Sequence, residues 1–292
     1  MAPAPTPAPA PDPKGASRLA HRDGTLTSAD GTTLHWQAWL ADRPAGALAI
    51  VHGLGEHGGR YGRLAAAMVP RGWSCWAVDL RGMGRSDGRR GHVDRWQQWI
   101  DDAAAFQRMV EAEASPLPVV PLGHSFGGLV VLTAVEREAI RPPRFVLSNP
   151  ALRIHIAVPG WKRVLGAFAS RAWPTLTMAN QVDPAHTSRD AAVVADDRAD
   201  PLAHDRISAR LFAEWNAAAA AALAGADRLR VPSLLLLSGD DRIVDVAGAQ
   251  ELARRAAAAP AVRVYPDRFH EPFNDLGADA VYADLAEWLG RL

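Results

Sequence analysis

The chain has 292 residues, with 32 Lys and Arg against 32 Asp and Glu, so its formal net charge is zero. This length suffices for one large α/β domain or for a core domain with a smaller insertion, and the charge balance creates no field that favours nucleic acid or an anionic membrane. The single cysteine, Cys75, excludes an internal disulfide and is expected to be a buried, inert thiol within the apolar run WSCWAV.

The first 16 residues, MAPAPTPAPAPDPKGA, are rich in proline and alanine. They lack the charged start and the continuous apolar stretch of a secretory signal, and their prolines disfavour a helix. We expect a disordered tail here. Beyond it, no window of roughly 18 residues is apolar throughout, so a membrane-spanning helix is not expected. The sequence therefore predicts a soluble, cytoplasmic protein.

The rest of the chain alternates short apolar runs with amphipathic segments. Residues 24–41 alternate polar and apolar side chains around Asp30 and Gly31, which is typical of a β-hairpin. Six nearly continuous apolar runs are typical of strands covered on both faces. They are residues 47–53, 75–80, 117–123, 144–150, 232–239 and 262–267. The amphipathic segments predicted as helices are residues 61–72, 96–114, 126–139, 246–259 and 278–292.

Strands and helices that alternate in this way predict right-handed crossovers. The expected fold class is α/β, with a mostly parallel eight-stranded sheet, helices on both faces and the hairpin at one edge. One interval breaks the rhythm, because residues 151–225 contain no strand-like run but include the amphipathic segments 158–173 and 208–224. We interpret residues 151–225 as an inserted helical cap (the cap segment) in a core formed by residues 17–150 and 226–292.

Two serines share the pattern Gly-x-Ser-x-Gly. Ligands of α/β proteins collect beyond the carboxyl ends of parallel strands, so a nucleophilic serine is expected to end a strand and begin a helix. Ser125, in PLGHSFGGLV, does both, and Gly123 and Gly127 leave room for a cramped backbone. Ser86, in GRSDG, has no helix directly behind it. The sequence therefore predicts Ser125 as the nucleophile and Ser86 as a turn residue.

A serine hydroxyl needs a base to remove its proton, and the base needs an acid to hold its tautomer. The expected order along the chain is serine, acid, histidine. His270 is the only histidine beyond residue 204, and it follows the last predicted strand. The acid is expected after the preceding strand, in SGDDRIVD, where spacing alone does not separate Asp240, Asp241 and Asp245.

Acyl transfer also forms an oxyanion, which needs two preorganised backbone N–H donors. One is expected from Phe126, directly after the nucleophile at a helix N-terminus. The other is expected from Leu54, in the loop HGLGEHGGRY after the first buried strand. His52 and His57 lie in the same loop, but no third ligand falls at a regular spacing, so no metal site is predicted.

These motifs resemble the monoacylglycerol lipase and lysophospholipase branch of the α/β-hydrolases, a serine aminopeptidase-like family. The resemblance rests on HGLGEHGGRY, DLRGMGRSDGRRGHV, GHSFGG, LSNPALR, SGDDRIVD and FHEPFND, and extends from about residue 20 to the end. It implies that the acid is Asp241, with Asp240 as a neighbour and Asp245 as a loop or helix cap. Phe126 is a departure, since relatives often have methionine after the serine.

The first part of the cap segment is apolar and carries few charges. It is either a mouth that admits a fatty acyl chain and touches a lipid surface, or a helix face that packs on the core. The residues of this stripe are Ile156, Val158, Trp161, Val164, Leu165, Phe168 and Trp173. We take Trp161 and Phe168, together with Gly53 and His124 beside the nucleophile, as candidates for substrate contact.

Together these features predict a serine hydrolase that cleaves carboxylic esters, above all monoacylglycerols, through an acyl-enzyme on Ser125 without a metal or organic cofactor. The expected partner is a small lipid ester, with no nucleic acid and at most transient membrane contact; the oligomeric state stays open. A lysophospholipase or a short-chain carboxylesterase would share the triad. A non-catalytic binding protein would usually lack one of its members. An aminopeptidase would need acidic cap residues around a substrate ammonium, and the candidates are Asp183, Asp190, Asp196, Asp197 and Asp200.

Overall fold

The computed structural model describes residues 19–155 and 170–290. Its strands, in chain order, are β1 (Ala20–Thr27), β2 (Thr33–Leu40), β3 (Gly46–Val51), β4 (Trp73–Val78), β5 (Val119–His124), β6 (Phe145–Ser148), β7 (Thr177–Ala179), β8 (Arg206–Ser208), β9 (Ser233–Ser238) and β10 (Ala261–Tyr265). The α-helices that lie wholly within these ranges are α1 (Gly62–Met68), α2 (Gln97–Ala114), α3 (Ser125–Glu136), α4 (Ala191–Ala199), α5 (Ala209–Gly225), α6 (Ala247–Arg255) and α7 (Ala278–Leu289).

Eight strands form one sheet in the order β1-β2-β4-β3-β5-β6-β9-β10. β2 runs antiparallel to both β1 and β4, and the other neighbouring strands are parallel. Each predicted apolar run forms one of the parallel strands, and the predicted hairpin forms the β1 edge with Gly31 at a φ of 87° in its turn. The predicted fold class is therefore confirmed.

Helices cover both faces of the sheet. On one face, Trp99 of α2 and Leu129 of α3 are fully buried in a core that also takes in side chains of α5 and α6. On the other face, Leu64 of α1 and Tyr282 of α7 belong to a second core. Burial of each large apolar side chain stabilises the fold by about 1.5–3 kcal/mol, which explains why these strands need apolar residues on both sides. In the described residues no helix is both long and apolar enough to cross a bilayer.

The cap segment differs from the prediction in one respect. Helices α4 and α5 lie in it, but so do β7 and β8, which pair antiparallel from Thr177 opposite Ser208 to Ala179 opposite Arg206. The expectation that this interval contains no strand is wrong. Strands of three residues are too short to produce a recognisable alternation of polar and apolar residues. Most of the predicted helix 158–173 lies outside the described residues.

Backbone hydrogen bonds join the cap segment to loops of the core. The His204 N–H donates to the Gly55 carbonyl over 2.8 Å, and the Glu271 N–H donates to the Thr187 carbonyl over 2.8 Å. At the start of α5, the Ser208 N–H donates to the carbonyl of Gly91 over 2.8 Å. The cap segment is thus fixed against the loops that follow β3, β4 and β10.

Candidate active site

Ser125 lies at the junction of β5 and α3, in a backbone conformation unusual for serine. Its φ is 52°, and a positive φ in a residue with a side chain is a strained conformation that clusters at functional sites. Gly123 and Gly127 make this turn possible. A Cβ on Gly123 would lie 2.5 Å from the Gly127 carbonyl oxygen, and one on Gly127 would lie 2.2 Å from the Val51 carbonyl oxygen.

His270 links Ser125 to Asp241 in an unbroken chain of hydrogen bonds. The Ser125 hydroxyl donates to His270 Nε2 over 2.8 Å, and His270 Nδ1 donates to Asp241 Oδ2 over 2.7 Å. The second oxygen of Asp241 accepts from the backbone N–H groups of Ile243 and Val244, each over 2.9 Å. All three side chains are buried. This arrangement suits proton transfer from the hydroxyl to the imidazole.

The two neighbouring aspartates have other partners. Asp240 is exposed and pairs with Arg242, whose Nη2 lies 3.0 Å from Asp240 Oδ2. Asp245 accepts a hydrogen bond from the N–H of Ala247, the first residue of α6, over 2.9 Å. Only Asp241, of the three aspartates in this loop, contacts His270.

Charge interactions shift the pKa values of the hydrogen-bonded groups His270 and Asp241. Burial acts to lower the pKa of His270, but the charge of Asp241 and the hydrogen bond to it outweigh burial and raise the pKa. Burial likewise acts to raise the pKa of Asp241, and His270 outweighs it in the opposite direction. The ring centroid of His124 lies 4.9 Å from that of His270. Burial, followed by the charge on His270, lowers the pKa of His124 to about 4, so His124 stays neutral at pH 7.

Ser86, the second serine of the same pattern, has a buried hydroxyl with two backbone partners. Its Oγ donates to the Asp79 carbonyl over 2.5 Å and accepts from the His35 N–H over 2.8 Å. The Ser86 N–H itself closes a turn with the Met83 carbonyl over 3.1 Å. This serine therefore stabilises a turn after β4, and among the described residues no histidine ring nitrogen bonds to its hydroxyl.

The peptide between Gly53 and Leu54 has an orientation set by His52. His52 Nε2 accepts from the Leu80 N–H over 2.9 Å, so Nδ1 carries the proton and donates to the Gly53 carbonyl over 2.7 Å. Burial lowers the pKa of His52, which keeps the ring neutral and Nε2 free to accept. In a trans peptide the N–H points away from the carbonyl. The Leu54 N–H is thereby turned away from His52.

Phe126 is the second residue of α3, directly after Ser125. Among the described residues no backbone acceptor bonds to the N–H of Phe126 or to that of Leu54. The Phe126 ring is fully buried and packs edge-on against Trp99, with the ring centroids 4.8 Å apart. Similar edge contacts hold it against Trp96 and Trp215. These three tryptophans form the environment that accommodates the Phe126 ring.

A cavity of about 250 Å³ opens beside Ser125 and His270. Gly53, Leu54 and His124, three of the candidates for substrate contact or oxyanion binding, line it, whereas the candidates Trp161 and Phe168 lie outside the described residues. Its other apolar lining is Val182, Pro184, Ala203, Trp215, Ile243 and Val244. Its other polar lining is Gly55, Glu56, Asn180, Thr187, Asp197, Arg198, Asp200, His204, Asp205 and Glu271.

An ion cluster around Arg60 borders this cavity and was not predicted from the sequence. Arg60 contacts Glu56, Asp197 and Glu271 over 2.6–3.1 Å. The only sequence signals were the spacing of Glu56 and Arg60, four residues apart in one loop, and the acidic residue directly after His270. His57, for which no metal role was predicted, lies nearby and donates from Nε2 to a carboxylate of the cap segment. No group of three or more potential metal ligands is found in the described part of the chain.

Comparisons with known proteins agree with this geometry. A model of the family described as serine aminopeptidase, S33, matches residues 42–277. The chain is 30% identical over 275 residues to a monoacylglycerol lipase of Mycolicibacterium smegmatis, an alignment that covers 91% of this chain and 95% of the relative. It is also 30% identical over 249 residues to the phospholipase YtpA of Bacillus subtilis, covering 84% of this chain and 95% of that protein.

The structural comparison extends the likeness to the fold. A monoacylglycerol lipase of Paleococcus ferrophilus superimposes with a TM-score of 0.78 at 27% identity, covering 93% of this chain and 98% of the other. Some relatives are much longer, and the chain spans only 28% of an abhydrolase domain-containing protein of Dictyostelium discoideum, to which it is 28% identical.

Proposed function

The chain belongs to the serine aminopeptidase S33 family of α/β-hydrolases, the branch that includes monoacylglycerol lipases, and from this premise we propose that it hydrolyses monoacylglycerols through an acyl-enzyme on Ser125. The observation that carries the proposal is the chain of hydrogen bonds from Ser125 through His270 to Asp241. The proposal includes a division into a core, residues 17–150 and 226–292, and the cap segment over the active site.

In the first half of the reaction, Ser125 Oγ attacks the ester carbonyl while His270 Nε2 takes its proton. Asp241 holds the tautomer with the proton on Nδ1 and stabilises the imidazolium that forms. The N–H groups of Leu54 and Phe126 donate to the developing oxyanion, and each such donor contributes roughly 10²- to 10³-fold in rate. The orientation imposed by His52 supports the assignment of Leu54.

In the second half, the same groups reverse their roles. The imidazolium of His270 protonates the glycerol oxygen, which leaves as the free alcohol. His270 then takes a proton from water, whose oxygen attacks the acyl carbonyl. The second oxyanion collapses as the bond from the acyl carbon to Ser125 Oγ breaks, and the imidazolium returns its proton to Oγ, which releases the fatty acid and restores Ser125. The side chains and backbone groups of this chain supply every proton transfer, so the scheme requires no cofactor.

The charge of the cavity favours a neutral glycerol ester over a lysophospholipid. Five carboxylates line it against one arginine, Arg198, and three of the five also contact Arg60, which lies outside the lining. The five are Glu56, Asp197, Asp200, Asp205 and Glu271. A phosphate brought among them is repelled by charges of like sign, whereas glycerol hydroxyls can donate hydrogen bonds to carboxylates. Relatives with lipase and phospholipase activity are equally similar in sequence, so the lining of the cavity is the better guide.

An aminopeptidase is less well supported. Of the aspartates considered for binding an ammonium group, Asp197 and Asp200 line the cavity. Asp197 is already 2.6 Å from Arg60 Nη1, and Asp200 is 2.8 Å from His57 Nε2. A substrate ammonium would have to displace these contacts.

Transient contact of the cap segment with a lipid surface is part of the proposal. Trp173 is 70% exposed, and Leu176 and Met178 are also exposed large apolar residues. They lie close together along the chain, from Trp173, the last residue of the apolar stripe of the cap segment, to Met178 in β7. Aromatic and aliphatic side chains exposed together favour the boundary between lipid headgroups and acyl chains.

Hydrolysis of a matched series of esters tests the function. We expect kcat/KM on 1-monoacylglycerols to rise about fourfold per added methylene while the chain is being buried, since each contributes about 0.8 kcal/mol. We also expect monoacylglycerols to exceed lysophosphatidylcholines of equal chain length by at least about tenfold. An optimum at two to four carbons would make the protein a short-chain esterase, and preference for the lysolipid would make it a phospholipase. Ser125→Ala is the blank.

A further inference from the structure

Building on the proposed ester hydrolysis, we propose that Arg60 is a positioning residue for it, because its guanidinium holds loop 52–61 and loop 266–277 in a fixed relation to each other. Loop 52–61 carries the proposed oxyanion donor Leu54, and loop 266–277 carries His270. The side chain of Arg60 is 9% exposed. Among the described residues that line the cavity beside Ser125, Arg60 is absent. It therefore acts on the reacting atoms through its partners.

The first partner is Glu56, within loop 52–61. Arg60 Nε donates to Glu56 Oε2 over 3.1 Å. The other oxygen, Oε1, accepts from the Tyr61 hydroxyl over 3.0 Å and from the N–H of Gly53 in a short hydrogen bond. Gly53 directly precedes Leu54, so the arginine fixes the carboxylate that fixes the peptide next to the oxyanion donor.

The second partner is Glu271, the residue directly after His270. Arg60 Nη2 donates to both carboxylate oxygens of Glu271, over 2.8 and 2.9 Å. Asn274 Nδ2 donates to Oε2 over 2.9 Å, and the Glu271 N–H is bound by the cap segment. A planar guanidinium that meets a carboxylate through two contacts fixes its orientation as well as its distance. The residue next to the base is thereby held against loop 52–61.

The third partner brings in the cap segment and completes the charge pattern. Arg60 Nη1 donates to Asp197 Oδ1 over 2.6 Å, so one guanidinium faces three carboxylates. Burial raises the pKa of Asp197 to about 6 although Arg60 opposes this shift. Burial also acts to raise the pKa of Glu56, but Arg60, together with His124, His52 and the hydrogen bond from the Gly53 N–H, lowers it to about 2. The guanidinium of Arg60 is thus in contact with all three carboxylates.

The charges that Arg60 balances also affect the protonation of the base, His270. The titratable groups that act on His270 are Asp241, Glu271 and Glu56, which favour its protonated form, and His124, whose ring lies beside it. Loss of the guanidinium leaves Glu56 and Glu271 uncompensated, and negative charge stabilises the imidazolium. His270 then keeps its proton to a higher pH. A residue that serves only to fold the loop would not move this titration.

The test compares variants that separate charge from geometry. Arg60→Gln removes both, and Arg60→Lys keeps the charge but loses the two-contact geometry. Arg63→Gln is the matched control, since Arg63 lies one helical turn further on and its Nη1 also pairs with the cap segment, 3.3 Å from Asp190. On a soluble short-chain ester, we expect kcat to fall about 100-fold in Arg60→Gln with KM changed by less than about threefold. Arg63→Gln is expected to match wild type.

The pH profile of kcat/KM is the second readout. The acid limb is expected to move to higher pH in Arg60→Gln, to stay in place in Arg60→Lys and to move back when Glu271→Gln is added to Arg60→Gln. If Arg60→Gln does not fold, Glu271→Gln alone tests the positioning role. Its kcat is expected to be lower than that of the wild type, and the acid limb of its pH profile is expected to lie at lower pH.

Two outcomes overturn the inference. One is a decrease of kcat in Arg60→Gln no larger than the decrease in Arg63→Gln. The other is a pH profile of kcat/KM in Arg60→Gln whose acid limb lies at the same pH as in the wild type. The inference is also overturned if Glu271→Gln keeps the kcat of the wild type and the acid limb of its pH profile does not shift. The rate of fluorophosphonate labelling of Ser125, measured against pH, gives the same comparison without an ester. A wild-type protein that is labelled but hydrolyses no ester would therefore overturn only the proposed function, and the labelling rates would still test Arg60.

Discussion

The side-chain amide of Asn149 donates a hydrogen bond to the backbone carbonyl of His270, over 2.7 Å. The same amide donates to Ser238 Oγ over 2.9 Å, and its carbonyl accepts from the Ser238 N–H over 2.8 Å. One buried side chain thus joins the ends of β6 and β9 to the residue that carries the imidazole. The φ of Asn149 is 41°, which asparagine tolerates better than most residues.

Asn149→Asp keeps this shape but replaces two N–H donors by a carboxylate that faces the His270 carbonyl. We expect the free energy of unfolding to fall by about 1–3 kcal/mol and kcat/KM to fall roughly 10- to 100-fold, since the base is displaced. Urea denaturation and steady-state kinetics measure the two effects. Asn216→Asp, on the exposed side of α5, is the control and should change neither. Wild-type activity in Asn149→Asp would contradict the prediction that Asn149 positions His270.

The two serines of the repeated pattern are expected to respond in opposite ways. Ser125→Ala should abolish labelling by a fluorophosphonate while leaving the fold intact. Ser86→Ala should keep the labelling but lower the free energy of unfolding by about 1–3 kcal/mol, because the buried His35 N–H loses its acceptor. Gel fluorescence and thermal denaturation distinguish these results. Labelling lost in Ser86→Ala and kept in Ser125→Ala would reverse the assignment of the nucleophile.

His270 must be neutral to accept the serine proton, so kcat/KM should fall as pH falls through its pKa, which lies above the ordinary value of 6.5. Asp241→Asn removes the charge that raises this pKa. The acid limb is then expected to move to lower pH, while kcat falls by roughly 10⁴-fold because the tautomer is no longer held. A pH-rate profile of both proteins checks the direction, and a limb that moves to higher pH would contradict it.

The same pair predicts how stability depends on pH. The contribution of His270, whose pKa is raised, is complete below its unfolded value of about 6.5 and is lost as pH rises through the folded pKa. The contribution of Asp241, whose pKa is lowered, is complete above about 3.9 and is lost as pH falls through the folded pKa. Asp241→Asn should therefore destabilise the protein most between these two values. Chemical denaturation across the pH range measures it.

Gly127→Ala is expected to disrupt the turn at Ser125. Its Cβ would lie 2.2 Å from the Val51 carbonyl oxygen and 2.3 Å from that of His52, and both are backbone atoms that cannot swing aside. Overpacking of this kind costs about 1–3 kcal/mol, and β3 would be pushed away from α3. Gly225→Ala is the control, because its Cβ meets only the mobile end of Arg228. Equal melting temperatures for the two variants would contradict the prediction.

Much of the fold could be predicted because its parallel strands are buried on both faces. Such strands must be largely apolar, so β3, β5 and β9 appear as nearly continuous apolar runs. The ribbon of β7 and β8 could not be predicted in this way. Each strand has three residues, and the pairing partner lies elsewhere in the chain, so no local pattern marks it.

A site residue could be predicted from the sequence where its position is determined by the end of a predicted strand or the start of a predicted helix. Ser125 ends a strand and begins a helix, and His270 follows the last strand of the sheet. The choice among three aspartates needed either the family resemblance or the coordinates, because adjacent residues on a loop point in different directions. The contacts of Arg60 with Asp197 and Glu271 span 137 and 211 residues of chain. Only the folded structure brings such distant charges together.

Three of the hydrogen bonds that fasten the cap segment to the core run between backbone groups, at Gly55, Gly91 and Thr187. Bonds of this kind do not depend on which side chains the segment carries. Mutations that reshape the wall of the cavity but keep Asp197 can therefore accumulate there while these backbone bonds persist. A chimera that takes this segment from a homologue should stay active, provided that the backbone bonds and the contact of Asp197 with Arg60 can form, and its selectivity should follow the donor.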